Sequence, residues 1–177
     1  MLYDLIILGG GAAGIFAAIN AKLTYPTANV LLLEKNALLL TKVRISGGGR
    51  CNVTYACFEP KQLIKNYPRG EKELLGPFHI FGPSDTIKWF ESRGVLLKTE
   101  ADGRIFPQTD QSETIIQALL IEADRLGVVI KLVEHIKTIE YNESYFTLHT
   151  KKDQTYQTTN LLLAAGSSPQ GYKWAEQ

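Results

Sequence analysis

Two cysteines, Cys51 and Cys57, in 177 residues are too few for a disulfide scaffold, and nothing else in the chain argues for an oxidising compartment. An excess of charge of one sign is missing as well: 19 Lys and Arg stand against 18 Asp and Glu, a net charge of +1. A chain so balanced has no electrostatic reason to bind nucleic acid or an anionic membrane, so neither is an expected partner. No apolar run reaches the roughly 20 residues of a membrane span. The N-terminal apolar stretch lacks a basic start, carries Asp4 and is broken by Gly9, Gly10, Gly11 and Gly14, which is not the form of a secretory signal. The expected setting is cytoplasmic, where the glycosylation patterns at Asn52 and Asn142 go unmodified. His79, His135 and His149 are scattered, with no carboxylate or cysteine at ligand spacing, so no metal is expected. What remains, 45% hydrophobic and 21% charged, is ordinary globular composition with enough material for a core.

Against these absences stands one dense pattern. Gly9-Gly10-Gly11-Ala12-Ala13-Gly14 follows the apolar run Leu5-Ile6-Ile7-Leu8, and Glu34 comes twenty residues after Gly14, at the end of Val30-Leu31-Leu32-Leu33. A buried strand needs a tight turn to enter a helix, which Gly9 supplies. Gly11 lets the backbone approach a pyrophosphate, and Gly14 lets helix and strand pack closely. Ala12 and Ala13 open the helix, whose N-terminal N–H groups favour phosphate. Glu34 is placed to accept hydrogen bonds from a ribose and to repel a 2′-phosphate. The same glycines could form a bare turn, and Glu34 a solvated strand end, but strand, helix and acid at these spacings agree on a dinucleotide site. The pattern leaves NAD and FAD open.

Further along, a helix over 12–25 and a buried parallel strand over 30–34 complete a βαβ unit. Residues 36–58 read as a long connection with Lys42, Ser46, Gly47-Gly48-Gly49 and Arg50, a composition suited to wrapping around an anion or a ring. Helices are expected over 60–67, 74–81 and 84–93, the last capped by Ser84, forming a helical insertion with Phe78, Phe81, Trp89 and Phe90 as core residues. Strands over 95–99 and 104–106 flank the turn Glu100-Ala101-Asp102-Gly103. A helix over 112–126, capped by Ser112, leads to a parallel strand over 128–132. A three-stranded antiparallel meander follows over 136–159, then a separate buried strand over 161–164. The class is α/β, with a Rossmann-like parallel sheet, a helical insertion and a small antiparallel β meander. Residues 171–177 begin a helical pattern that stops short, so the chain reads as a fragment of a longer protein.

The segments 4–14 with Glu34 and Lys35, 42–54, Gly103-Arg104-Ile105-Phe106-Pro107 and Ala164-Ala165-Gly166 with Gly171-Tyr172 resemble the FAD-dependent oxidoreductases of the aminoacetone oxidase family, which includes bile-acid Δ4,6-reductase-like flavoproteins. The serine–triglycine–Arg-Cys-Asn run is the specific part. The resemblance implies that residues 1–177 are a truncated FAD-binding domain of an oxidoreductase acting on a small-molecule substrate, with reduced NAD or NADP as electron donor by analogy. It implies that Lys42, Ser46, Gly47, Arg50, Cys51, Asn52 and Thr54 lie along the flavin side. Ile136 would offer its backbone to the adenine, and Ala165 and Gly166 would close over the pyrophosphate or ribityl chain. Family members are longer, with a substrate-side domain and a C-terminal return absent here. Ala165 stands where a threonine is usual, and the connection over 167–170 is shortened.

No catalytic residue is assigned, because the redox chemistry belongs to the cofactor. One rival remains: Cys51 and Cys57, with five residues between them, resemble the dithiol of flavin disulfide reductases, which has four between. Arg44 and Arg50 could lower a thiol pKa there. The plainer reading makes both cysteines small apolar packers. A second rival is a binding module without turnover.

Overall fold

A computed structural model describes residues 1–176. The chain runs β1 (Leu2–Leu8), α1 (Ala12–Thr24), β2 (Val30–Leu33), α2 (Thr41–Ile45), a glycine turn and β3 (Thr54–Tyr55). Three helices follow, α3 (Pro60–Leu63), α4 (Glu71–Ile80) and α5 (Pro83–Glu91), then β4 (Leu97–Thr99) and β5 (Arg104–Pro107). The chain continues through α6 (Ser112–Arg125), β6 (Val129–Lys131), β7 (Ile136–Tyr141), β8 (Phe146–Thr150), β9 (Thr155–Leu163) and α7 (Pro169–Ala175). These elements divide into two compact units, one of residues 1–42 with those from 119 onward, the other of residues 43–118.

The first unit is built on a six-stranded sheet in the order β6-β2-β1-β9-β8-β7. β1 pairs in parallel with β2 on one side and with β9 on the other, and β2 pairs in parallel with β6. All four residues of β2 are buried, the composition of a strand covered on both faces. Along α1, Gly14, Ile15, Ala18 and Ile19 are buried, a stripe one helical turn long that repeats. Pro26 stops the helix, and Lys22 Nζ donates to the carbonyls of Pro26 and Ala28 at 2.6 and 3.0 Å, where the helix dipole favours a cation. Because β1 has parallel neighbours reached by separate crossovers, its carboxyl end is a switch point, where open α/β sheets form a crevice.

The expected antiparallel meander is present as β7-β8-β9, and it continues the sheet of β1. The two segments expected over 155–159 and 161–164 are one nine-residue strand, β9, antiparallel to β8 through its first half and parallel to β1 through the rest. Asn160 does not break it, because its side chain donates to the carbonyl of Asp4 at 2.8 Å. Leu148 and Tyr156 thereby join Ile6, Leu8, Leu31 and Leu33 in one core cluster, against which Trp174 of α7 packs.

The second unit contains the antiparallel sheet β3-β5-β4. Its β4–β5 hairpin turns as expected at Gly103, φ 84°, whose N–H donates to the Glu100 carbonyl at 2.9 Å. Other expectations need correction. The connection over 36–58 is not structureless, since it holds α2, the glycine turn and β3. The N-cap of α5 is Gly82 rather than Ser84, and Asp85 accepts the Gly82 N–H at 2.9 Å. Ser112 spends its hydroxyl on the carbonyl of Arg44, 2.8 Å away, instead of capping α6. No residue of α4 is buried, so Phe78 and Phe81 are not core; Phe78 stacks against Tyr67 at 5.4 Å. Phe90 is buried as expected, with Trp89 edge-on to it at 4.8 Å.

The close packing of α1 on β1 is testable. A Cβ on Gly14 would sit 1.9 Å from the Gly9 carbonyl oxygen. Gly14→Ala is expected to destabilise the chain by about 1–3 kcal/mol, the usual range for overpacking, as read by urea unfolding. An unchanged midpoint would contradict the packing described.

Candidate functional site

The turn at the carboxyl end of β1 contains glycines required for different reasons. Gly9 has φ 118°, and a Cβ there would lie 2.4 Å from the carbonyl oxygen of Ala164 at the end of β9. At Gly10 a Cβ would meet Leu39 at 2.2 Å and the Glu34 side chain at 3.2 Å. Backbone excludes the first, and the second would have to displace Leu39 and crowd Glu34. Gly11 differs: its φ of −83° is open to any residue, and a Cβ there would meet nothing within 4 Å. Gly11 is the N-cap of α1, with no side-chain cap and no acid in the first turn. The N–H groups of this first turn therefore face an open space with partial positive charge, which favours an anion by about 0.3–1 kcal/mol per charge. A cradle that a Cβ would fill, at a helix N-terminus and a sheet switch point, has the form needed for a pyrophosphate.

Glu34 follows β2 and is 8% exposed, which excludes the reading as a solvated strand end. Its Oε2 accepts the Gly10 N–H at 2.7 Å, and its Oε1 accepts the backbone and side-chain N–H of Asn36 at 2.8 and 2.7 Å. Such hydrogen bonds offset the cost of taking a carboxyl group out of water. The acid therefore holds the Gly10 turn in shape besides being available to a ligand. Lys35 beside it is exposed.

On the other side of the turn, Gly166 has φ 59°, and a Cβ there would lie 3.8 Å from Lys42 Nζ. Lys42 Nζ donates to Ser167 Oγ at 2.7 Å, so the first turn of α2 and the loop after β9 meet through that pair. Ala165 lies under Gly171 of α7, where a built Cβ would approach its methyl group to 2.6 Å. Ile136 opens β7, with its side chain against the sheet core cluster.

The second unit holds the other expected residues. Gly47, Gly48 and Gly49 have φ of 56°, 69° and 86°, three successive left-handed residues that only glycine adopts without strain. The turn closes through Cys51 N–H to the Ser46 carbonyl at 3.0 Å, while Ser46 Oγ donates to the Val43 carbonyl at 2.8 Å. Asn52, with its amide nitrogen turned toward them, donates to the carbonyls of Ile105 at 3.2 Å and Thr54 at 2.9 Å. Thr54 pairs with Ile105 in the sheet. The Arg50 guanidinium carbon sits over the Phe106 ring, 3.9 Å from its centroid, and the group pairs with Glu100 at 2.5 Å and Asp110 at 3.5 Å. The hydrogen bond it donates to Glu100 holds its pKa above the ordinary guanidinium value.

The basis of the dithiol expectation is corrected here. Burial pushes the Cys51 thiol up, outweighing the opposing hydrogen bond with Ser46. The arginines that were to lower it are committed elsewhere, Arg50 to Glu100 and Arg44 to Glu113. Cys51 is 6% exposed and both cysteines are free thiols. Its φ of 62° is strained for a non-glycine residue.

Among the described residues no group of histidine, cysteine and carboxylate side chains is arranged to hold a metal ion, and no helix is long and apolar enough to cross a membrane. The sequence reading missed Asn36 and Ser167. For Asn36 a signal existed, an amide two residues past the strand-end acid. Ser167 had none, because its partner Lys42 lies 125 positions away.

The family model described as the HI0933-like protein Rossmann domain matches residues 3–177. The chain is 29% identical over 160 residues to a 3-dehydro-bile acid delta(4,6)-reductase of Clostridium scindens, covering 90% of this chain and 38% of that protein. It is 30% identical over 183 residues to a ribosomal RNA dihydrouridine synthase of Escherichia coli, covering 99% of this chain and 44% of that one. The chain thus spans about two fifths of the length of the curated relatives it matches. Its fold is similar to that of a 3-ketosteroid-delta4-(5alpha)-dehydrogenase from Rhodococcus jostii RHA1, with TM-score 0.68 at 16% identity, over 93% of this chain and 46% of that one. With the βαβ turn, the switch point and nearly the whole length in agreement, the chain belongs to the HI0933-like Rossmann domain family.

Proposed function

We propose that this chain is the FAD-binding portion of a flavin-dependent oxidoreductase. Gly11 carries the nucleotide reading: the backbone there does not need glycine and the protein does not fill the space, so the missing Cβ serves something outside the chain. The choice of flavin over nicotinamide rests on the similarity of residues 42–54 to FAD-dependent oxidoreductases. A bile-acid reductase among the relatives supports a redox role. In this reading the N–H groups of Gly11, Ala12, Ala13 and Gly14 take the pyrophosphate and Glu34 holds the adenosine ribose beside Lys35. Ile136 offers its backbone to the adenine, and Ala165 and Gly166 close over the pyrophosphate or ribityl chain. Lys42, Ser46, Gly47, Arg50, Cys51, Asn52 and Thr54 serve the flavin side.

When bound, a flavin supplies hydride and electron transfer through its ring system, and the protein's part is binding, orientation and electrostatics. Arg50, fixed by Glu100 and Phe106, contributes a placed positive charge rather than a mobile one. Reduced NAD or NADP is the proposed electron source by analogy alone. For the substrate, a small molecule is the first reading. The ribosomal RNA named in the Escherichia coli relative favours a nucleic-acid substrate as the second, which the balanced charge of this chain did not suggest. A dithiol mechanism finds little support in a buried thiol whose pKa is raised.

The purified chain is expected to be yellow or to become so with added FAD; a colourless protein that refuses FAD would overturn the assignment. Gly11→Val should lower the thermal unfolding midpoint only modestly, as a poorer N-cap does, while weakening FAD binding at least roughly tenfold, since only the ligand uses that space. Equal affinity for wild type and variant would sink the pyrophosphate assignment. Thiol labelling tests the rival. Cys51 should react on the order of tenfold or more slowly than Cys57 at pH 8. Its raised pKa contributes stability that is whole below the ordinary thiol range near about 8.5 and is lost as pH rises through the folded-state value. Fast labelling of Cys51 at neutral pH would revive the dithiol mechanism.

A further inference from the structure

A carboxylate offers about four acceptor positions. At Glu34 three are occupied, by the N–H of Gly10 and by the two nitrogens of Asn36. A ribose presents a pair of hydroxyls, so Glu34 alone is one acceptor short. Asn36 can make up the difference. An amide that donates through Nδ2 still has its Oδ1 as an acceptor on the same planar group, and Asn36 is exposed where Glu34 is buried. We propose that Glu34 and Asn36 read the adenosine diol as a pair, Glu34 accepting one hydroxyl and Asn36 Oδ1 the other, while Nδ2 fixes the rotation of the Glu34 carboxylate. This rests on the reading of the Gly9 to Gly14 turn as a dinucleotide site.

The main chain at this corner is braced in a way that keeps the amide in place. Glu134 N–H donates to the Glu34 carbonyl at 2.9 Å, and Val133 N–H donates to the Asn36 carbonyl at 3.3 Å. The chain leaves β6 through Val133 at φ 57°, a conformation strained for a β-branched residue, and both N–H groups reach these carbonyls from there. Strain accepted to hold residues 34 and 36 from outside is what a preformed acceptor pair requires, because an amide already ordered loses little freedom when the ligand arrives. Asn36 is thus a positioning and specificity-determining residue for the nucleotide, not for the redox step.

The test uses ADP, the part common to FAD and NAD, with 2′-deoxy-ADP and 3′-deoxy-ADP, measured by calorimetry on the intact chain. Wild type should disfavour each deoxy analogue by about five- to tenfold, the worth of one hydrogen bond. Asn36→Ala should lose discrimination against one analogue and keep it against the other, a result that general loosening of the fold cannot produce. Asn36→Asp should lose the same discrimination and bind ADP more weakly still, because a second carboxylate then faces Glu34 without a donor between them. Circular dichroism checks that both variants fold, and FAD binding is followed in parallel by its visible spectrum. If Asn36→Ala retains both discriminations, or loses both together, the shared-acceptor pair is overturned, while uptake of FAD by the same protein leaves the flavin reading intact. Discrimination that shifts as described in a chain that refuses FAD upholds the pair and removes the flavin. Failure of wild type to bind ADP at all overturns both.

Discussion

The structure of the nucleotide corner depends on one buried carboxylate. Removing a charge from water is expensive unless hydrogen bonds replace the solvent, and Glu34 meets that condition with three N–H donors from two segments. Gly10 is the second residue after β1 and Asn36 the third after β2, so the acid ties together the exits of two adjacent parallel strands. The carbonyls of Glu34 and Asn36 are engaged in turn by the crossover after β6. Three strand ends therefore converge on residues 34–36, and the shape of the Gly9 to Gly14 turn follows from where they converge.

That convergence explains why the glycines of the turn are not equivalent. Gly9 and Gly14 are glycines because neighbouring backbone leaves no room, and Gly10 because Leu39 and the Glu34 side chain pass over it. These positions serve the fold. Gly11 is the exception, with an ordinary φ and empty surroundings, and it lies where α1 presents its N–H groups. A motif that sequence presents as a single fingerprint thus separates into residues that build the crevice and one that leaves it open. In the second unit the same division is absent: Gly47, Gly48 and Gly49 are all required by their left-handed backbone, whatever occupies the turn.

Legibility from the sequence followed the range of the interactions involved. The strand–turn–helix start, the buried second strand and the Asp-Gly hairpin are written in local patterns, and each stands where the sequence placed it. The stretch 155–163 was read as two pieces, and only pairing with β1, 155 positions away in sequence, makes it one strand. Phe78 and Phe81 look like core residues by composition, but no residue of α4 is buried and Phe81 stays exposed, because burial depends on tertiary packing that composition does not show. The spacing of the cysteines to two arginines suggested an activated thiol, yet the guanidinium groups lie on Glu100 and Glu113, partners 50 and 69 residues distant. Glu34 was read as a ligand for ribose, and its second duty to Gly10 was invisible because a hydrogen bond to a backbone N–H leaves no mark in residue type.

The central claim, that the opening turn and its carboxylate corner grip the adenosine diphosphate end of a dinucleotide, is tested most directly by amide NMR during titration with FAD. The account predicts that the largest shifts fall on the N–H groups of Gly11, Ala12 and Ala13, with the backbone N–H groups of Gly10 and Asn36 moving little because Glu34 already holds them. Saturation with FAD that leaves those amides in place, or that shifts mainly residues far from the end of β1, would contradict it.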